Sequence, residues 1–468
     1  MALLASAIFA YLERGITESD IWWHLRDART LLEQHVFLRT DTYSFTAAGA
    51  PWINFEWLAE VPYYLGFKVA GLQGIVIVYF IVLVLIYAGV YYRSCRAGAD
   101  SKDAAIATLA AICLGGVSFG PRTLLFGWLC LVALLLIVDE FKRTGRGLWL
   151  LPPLFALWIN LHGSWVFGFV VLGATIASGL VEGEWGQVFA RRWSPGQLRN
   201  LLLATFASAA ALFLNPFGYK LVWYPFDLLF RQQSVMQYID EWQPVDFGTI
   251  NGKLALMAIF AVFAAALFRR RRWALDEALL SVFALWAGLS HQRFLFFAGL
   301  ILAPILAPDL HLFPPYDRKL DKPWLNAAII AAVVAAMVHF FPSEARLQEQ
   351  VDASFPKAAV QFMQEHHLTG RMFNQYAWGG YIEWHAPELQ PGIDGRADIF
   401  VYNGVFTDFL NAMALQKSFE TLDKYRIDYV LIQPKEPMAY LLRQSPGWRQ
   451  LYSDNVAVIF QRNSPLSR

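Results

Sequence analysis

Residues 72–92 read LQGIVIVYFIVLVLIYAGVYY, an apolar run without one charged side chain, and it stops at Arg93 and Arg96. A hydrocarbon layer of roughly 30 Å needs about 20 such residues wound as a helix. A helix on a globular surface would show a polar face, and this stretch shows none. On either side of it, further apolar segments come at 1–12, 104–119, 124–138, 148–160, 165–180, 201–214, 254–268, 274–289, 294–307 and 325–341. Together they make about eleven candidate spans, several of them short. Composition agrees, with 57% hydrophobic and 16% charged residues, against roughly 25% charged in an average soluble protein. The first segment lacks a basic leading region and reads as a retained helix, not a cleaved signal.

Basic residues set the expected orientation. One alternating set of loops holds Arg93, Arg96 and Lys102, then Lys142, Arg143 and Arg146, then Arg191, Arg192 and Arg199. The set continues with Arg269 to Arg272 and closes with Arg318, Lys319 and Lys322. Short loops of the other set carry only isolated basic residues. By the positive-inside rule the first set is cytoplasmic, which puts the N-terminus inside and the C-terminal segment outside.

Organisation follows from the same pattern. Residues 1–341 form an α-helical polytopic membrane bundle that includes a long first outer loop, 13–71. That loop has an amphipathic stretch at 21–36, a turn region at 41–51 and a second helical pattern from Asn54; its Trp and Tyr residues suit a membrane interface. Residues 342–468 turn polar and mixed, as expected of an extracytoplasmic α/β domain. There a helix is expected at 357–367, strands at 371–374 and 429–432, a strand end at 392–394, a helix end at 422–425 and a hairpin about 453–455.

Several function classes are excluded early. A net charge of +1 offers no electrostatic footprint for nucleic acid. Cys95, Cys113 and Cys130 sit in apolar surroundings without metal-ligand spacing and read as small hydrophobes. No Gly-rich loop follows a strand to hold a soluble nucleotide.

Polar residues gather in the loops read as outer. Glu18, Asp20 and His24 follow the first segment, with Arg39, Asp41 and Glu56 later in the same loop. Arg122 lies at the turn near 120–123, His162 beside Asn160, and His291 and Arg293 in the turn before 294–307. A wide loop from Asn215 carries Tyr219, Lys220, Tyr238, Asp240 and Glu241. Ionisable groups at membrane depth are costly and usually face a cavity or a partner. Each has a plainer reading: Arg as a snorkelling anchor, His as an interfacial ring, Asp20 as a helix cap, Asp41 as a turn residue. Taken jointly, Arg122, His162, His291 and Arg293 suit an anionic lipid phosphate. Asp20, with Glu18 or Asp41, suits proton removal from an acceptor hydroxyl. Residues 378–381, Trp-Gly-Gly-Tyr, read either as a tight turn with packed aromatics or as part of a substrate surface.

The motifs Asp20–Leu25 (DIWWHL), Asp41–Thr46 (DTYSFT), Pro51–Trp52 with Glu56–Leu58, and Leu157–Gly163 (LWINLHG) resemble bacterial GT-C type glycosyltransferases. These are the protein-mannosyltransferase and aminoarabinose-transferase relatives. Residues 374–381 and 393–396 resemble the tail of uncharacterised bacterial members. The resemblance implies a bacterial cytoplasmic-membrane enzyme that takes a sugar from a polyprenyl-phosphate donor to a glycan, lipid or protein acceptor. It places the base just after the first span, at Asp20, where many members carry two adjacent acidic residues and this chain has Ser19 before Asp20. His24, Glu56, Trp378, Asp394 and Arg396 are then candidates for substrate binding, with Trp384 and Asp398 nearby. No cofactor is expected. Asp20, Asp41, Glu56, His162 and His291 have ligating atoms, but no close spacing argues for a metal. An inverting displacement fits a single base with a phosphate leaving group. Competing readings are a polymerase or ligase using diphosphate-linked glycans, a transporter, and a non-catalytic envelope scaffold. Transporters hold polar sites near the midplane, unlike this pattern.

Overall fold

The computed structural model describes residues 1–231, 239–317, 319 and 321–463; Tyr238 and Arg318 lie outside the described residues. The chain is mainly helical and divides into two compact units. The first comprises Met1–Gly15, Val76–Leu229 and Met236–Pro342; the second comprises Ile16–Ile75, Phe230–Val235 and Ser343–Arg468.

Helices stand at the positions expected of the eleven segments, but they are not all long enough to cross a bilayer. Among the described residues five pass by length and composition: Trp57–Arg96, Ser101–Ser118, Leu124–Thr144, Ile250–Phe268 and Gln292–Asp309. A sixth counts if the bent pair Pro323–His339 and Glu344–Ser354 is one span. The expected count of about eleven is therefore not reached by length alone. The helix Ala2–Phe9 is roughly 12 Å long at 1.5 Å per residue, and Leu151–Leu161 and Leu295–Leu306 are also short.

In the first unit every residue from Leu295 to Ile305 is buried. An all-round apolar helix belongs at the centre of a bundle, and Gly299 shows how closely it packs: a Cβ there would lie 3.1 Å from the Ala111 carbonyl. Trp128 stacks on Phe296 with centroids 5.9 Å apart, and Tyr87 and Phe119 close the aromatic cluster. By contrast, Pro323–His339 buries no residue and Ile250–Phe268 very few. The loops read as cytoplasmic are tied by ion pairs: Arg93 to Asp139 at 2.7 Å, Lys142 to Asp276, and Arg272 to Glu184 at 2.7 Å. Arg269 is buried against Asp309 at 3.0 Å and over the Trp273 ring.

The second unit joins the first long loop to the C-terminal segment. Its amphipathic stretch forms the helix Ile21–Glu33. The helix Trp57–Arg96 breaks at Ala70 and Gly71, where Gly71 takes φ +60. A side chain at 71 would meet the Glu344 carboxylate at 2.5 Å, and that carboxylate accepts from the N–H groups of Leu72 and Gln73 at 2.9 and 3.0 Å. Glu344 thus caps the apolar half of the helix where its first N–H groups lack partners.

A four-stranded sheet runs in the order Met372–Asn374, Tyr429–Ile432, Val458–Arg462, Trp448–Ser453. The first pair is parallel and the others are antiparallel. Tyr429–Ile432 is buried throughout, as a continuous apolar run predicts. The hairpin turns at Asp454, whose Oδ1 accepts from Val456 and Ala457 N–H, both at 2.7 Å. The strand end expected at 392–394 is only an isolated bridge at Pro391. The Asn374 side chain holds that segment instead, accepting from Gly392 N–H at 2.8 Å and donating to the Ile393 carbonyl at 2.8 Å.

Candidate functional site

In the second unit Asp20 precedes the helix Ile21–Glu33 but its carboxylate does not cap it: the residue has helical backbone angles (φ −80, ψ −21) and no side-chain cap bond. Its Oδ1 accepts from Ser19 Oγ at 3.3 Å, and the residue stays partly exposed. Glu18, two residues earlier, is also partly exposed.

Behind this carboxylate lies a buried ionic network. Arg396 Nε donates to Asp394 Oδ1 at 2.8 Å, and Nη2 reaches Asp394 Oδ2 at 2.6 Å and Asp41 Oδ1 at 2.8 Å. The guanidinium lies over the rings of Tyr43 and Trp52. Asp41 also accepts from Tyr43 N–H, Ser44 N–H and, at 2.6 Å, Ser44 Oγ. Its oxygens therefore close the 41–44 turn and anchor Arg396. Phe45 N–H donates to the Pro391 carbonyl and Thr46 Oγ1 to that of Gly392, so the motif at 41–46 docks beside 391–396.

A third carboxyl, Glu383, is fully buried, with Oε1 3.6 Å from Arg396 Nη2. Burial pushes Glu383 well above the usual carboxylate range, and the Asp394 charge adds to the effect. Asp394 is also disfavoured by burial, yet Arg396 holds it below its ordinary value. One guanidinium thus favours the charged form of Asp394, while burial beside that charge favours the neutral form of Glu383.

A group raised in the folded state favours folding below its unfolded value, near 4.5 for Glu383, and that contribution is lost as pH rises toward the folded value. Glu383→Gln stays neutral at every pH. Melting curves of the full chain in detergent should show the variant gaining on the wild type from pH 4.5 to pH 8; parallel curves would mean that Glu383 is ionised in the fold.

Further along the same helix, His24 Nδ1 lies 2.9 Å from Glu60 Oε1, and Nε2 lies 3.8 Å from Glu56 Oε2. Asn54 donates to Asp27 at 2.6 Å and to Glu60 at 2.9 Å, and Tyr43 donates to Asp27 at 3.2 Å. Burial raises Asp27, against the bonds from Glu60 and Asn54 that lower it. His24 and Glu56 are thus members of a buried network. Asp27, Asn54, Glu60, Tyr43 and Glu383 belong to the networks but escaped sequence reasoning. The available signal was spacing: Asp27 is three residues after His24, on one helix face with buried Ala28. Trp378 is buried, and its Nε1 donates to the Ser354 carbonyl at 3.1 Å.

The first unit gathers the basic residues. Arg122 pairs with Glu241 at 2.5 Å, and Arg293 lies over the Trp242 ring at 4.4 Å. His291 Nδ1 contacts the Trp242 carbonyl at 2.7 Å, and Gln292 donates to that of Asp240. His162 Nδ1 accepts from Ser164 N–H at 3.0 Å, and the ring lies within the field of Arg293. Burial would raise Glu241, but Arg122 and then Arg293 pull it below its ordinary value. Turns distant in sequence therefore meet around Asp240–Trp242. No group of metal-binding side chains occurs among the described residues.

No family model matches the chain, and no curated protein matches it in sequence. Solved structures do match. The Archaeoglobus fulgidus oligosaccharyltransferase in its apo form aligns over 92% of this chain and 69% of its own, at 14% identity and a TM-score of 0.54. ArnT from Cupriavidus metallidurans, bound to undecaprenyl phosphate, aligns over 98% of this chain and 96% of its own, at 13% identity and a TM-score of 0.54. The chain therefore shares the fold of this oligosaccharyltransferase and of ArnT.

Proposed function

We propose that this chain is a membrane glycosyltransferase that moves a sugar from a polyprenyl-phosphate carrier to a hydroxyl of an envelope glycan, lipid or protein. The observation that carries the reading is the Asp20 carboxylate, partly exposed and not used to cap its own helix. In the reaction the acceptor O–H gives its proton to Asp20 and its oxygen bonds to the anomeric carbon. The bond from that carbon to the phosphate oxygen breaks, and the electron pair leaves on the polyprenyl phosphate. Arg122 and Arg293, with His162 and His291, hold the phosphate and stabilise its developing charge. The undecaprenyl phosphate bound to ArnT supports this donor class. The reading includes the bacterial cytoplasmic membrane, with the N-terminus inside and residues 342–468 outside, in keeping with the loop charges. It also includes an inverting displacement.

The test supplies the purified full chain in vesicles with undecaprenyl-phosphate and undecaprenyl-diphosphate pentoses and hexoses, with envelope lipid, glycan and protein extracts as acceptors. Release of undecaprenyl phosphate from the monophosphate donors is expected. Release of undecaprenyl diphosphate alone would favour a polymerase or ligase, and turnover of neither would sink the transferase reading. Arg122→Ala and Arg293→Ala should each raise the donor KM about tenfold to a hundredfold, as loss of a charged hydrogen bond implies. The acceptor KM should not move; equal effects on both substrates would count against a donor-phosphate role.

A further inference from the structure

We propose that the Ile393–Arg396 turn positions the Asp20 carboxylate, with Gly395 and Tyr376 as its positioning residues. The inference rests on the transferase reading, in which Asp20 is the base, and it gives the C-terminal motif a task other than substrate recognition.

A Cβ at position 395 would lie 1.9 Å from Asp20 Oδ1, 2.9 Å from its Cγ and 3.2 Å from Trp23 Nε1. Gly395 is not among the residues with positive φ, so what the site requires of it is the missing side chain, not a special backbone. Any larger residue must displace the carboxylate oxygen. Trp23 Nε1, on the same spot, is buried and makes no hydrogen bond among the described residues. The Trp23 indole nitrogen and the Asp20 carboxylate therefore both border the space left by the missing Gly395 side chain.

The turn is held from behind. Tyr376 donates to the Gly395 carbonyl at 3.1 Å. Burial, and then the charges of Asp20, Asp394 and Asp398, keep its hydroxyl protonated and hence a donor. Arg396 N–H donates to Asp394 Oδ1 at 2.9 Å, and Ala397 N–H to the Gly395 carbonyl at 2.9 Å. The glycine pair before Tyr381 completes the seat. A Cβ at Gly379 would strike the Ile393 carbonyl at 2.2 Å, and one at Gly380 would crowd Ser19 O and Trp23 N at 3.3 and 3.2 Å. The helix Gly379–His385 thus packs tightly on the turn and on the start of the Asp20 helix. Trp378 and Arg396, which a sugar-binding surface would have to present, are buried at 1% and 3% exposure and already bonded.

The test uses the full chain, wild type and Gly395→Ala, with undecaprenyl-phosphate pentoses and hexoses as donors and envelope lipid extract as acceptor. A base displaced by about 1 Å can cost roughly 100-fold, so kcat should fall by about that factor while the donor KM holds and the acid limb of the pH–kcat profile moves. A second readout needs no donor: the rate at which dicyclohexylcarbodiimide modifies Asp20, followed against pH by mass spectrometry, should shift its midpoint in the variant. Tyr376→Phe, which keeps the ring and removes only the tether, should shift the same profile and midpoint, and it covers the case of Gly395→Ala failing to fold. Gly447→Ala, where a Cβ would meet only Ser445 Oγ at 3.7 Å, is the neutral control. An unchanged kcat or an unmoved carbodiimide profile in a folded Gly395→Ala or Tyr376→Phe would overturn the positioning role. If instead Asp20→Asn keeps full activity, the transferase reading loses its base, whatever the glycine variant does.

Discussion

Asp20→Asn is expected to lower kcat by about 10²–10⁴-fold, the usual worth of a positioned general base, while binding of undecaprenyl phosphate and the melting curve stay as in the wild type. The two halves of this expectation have separate causes. Asparagine has nearly the same shape as aspartate, but its amide cannot take the acceptor proton at neutral pH. The fold should register the change little, because the isosteric amide keeps the side chain's fit against Gly395 and its bond from Ser19 Oγ, and the residue is partly exposed. Substitutions of that kind usually stay within about 0.5 kcal/mol. Asp41→Asn should behave in the opposite way. Asp41 is buried, receives Tyr43 N–H, Ser44 N–H and Ser44 Oγ, and pairs with Arg396. Its loss should therefore appear first as instability of the 41–46 loop. Release of undecaprenyl phosphate and thermal melting, measured on both variants, separate a base from a structural carboxylate. If Asp20→Asn turned over normally, the base would have to be sought at Glu18.

The features legible in the sequence were those written in short windows. Apolar runs marked the helices, the unbroken Tyr429–Ile432 run marked a buried strand, and Ser453–Asn455 marked a hairpin turn. Each depends on neighbours within a few residues. The partners of the buried charges do not. Asp41 and Arg396 lie in distant parts of the chain, and Arg122 meets Glu241 across 119 positions. No local period reports such pairs. Asp27 and Glu60 occur in amphipathic stretches, where a carboxylate ordinarily faces water, so burial in a network was hidden. Span length is hard to read from sequence for a related reason. Hydropathy measures an apolar segment, whereas the helix ends depend on caps and breaks, such as the Glu344 carboxylate at Leu72 and Gln73.

Arg396→Ala should cost the second unit about 3–5 kcal/mol, the range for removing one partner of a buried ion pair. The guanidinium has a side-chain exposure of 1% and serves Asp394 and Asp41 directly, with Glu383 at 3.6 Å. Without it these carboxyls remain buried and can avoid unpaired charge only by taking up protons. The pH dependence then reverses. In the wild type Asp394 is depressed below its unfolded value of 3.8, so it adds stability above that pH and loses it as pH falls through the folded value. In the variant Asp394 is raised instead, and stability drains away as pH climbs above 3.8. The gap between variant and wild type should therefore widen from acid to neutral pH. Arg396→Lys should recover only part of the loss, because an ammonium cannot reproduce the fork that spans Asp394 and Asp41. Hydrogen exchange at Tyr43, Ser44 and Gly392, whose N–H groups are held by this network or beside it, gives the local reading in the full chain. Pairing the change with Asp394→Asn should cost less than the two single losses added together, since each removes the other's partner. Strict additivity in that double variant, or a gap that does not change with pH, would mean that the buried charges are not held by Arg396.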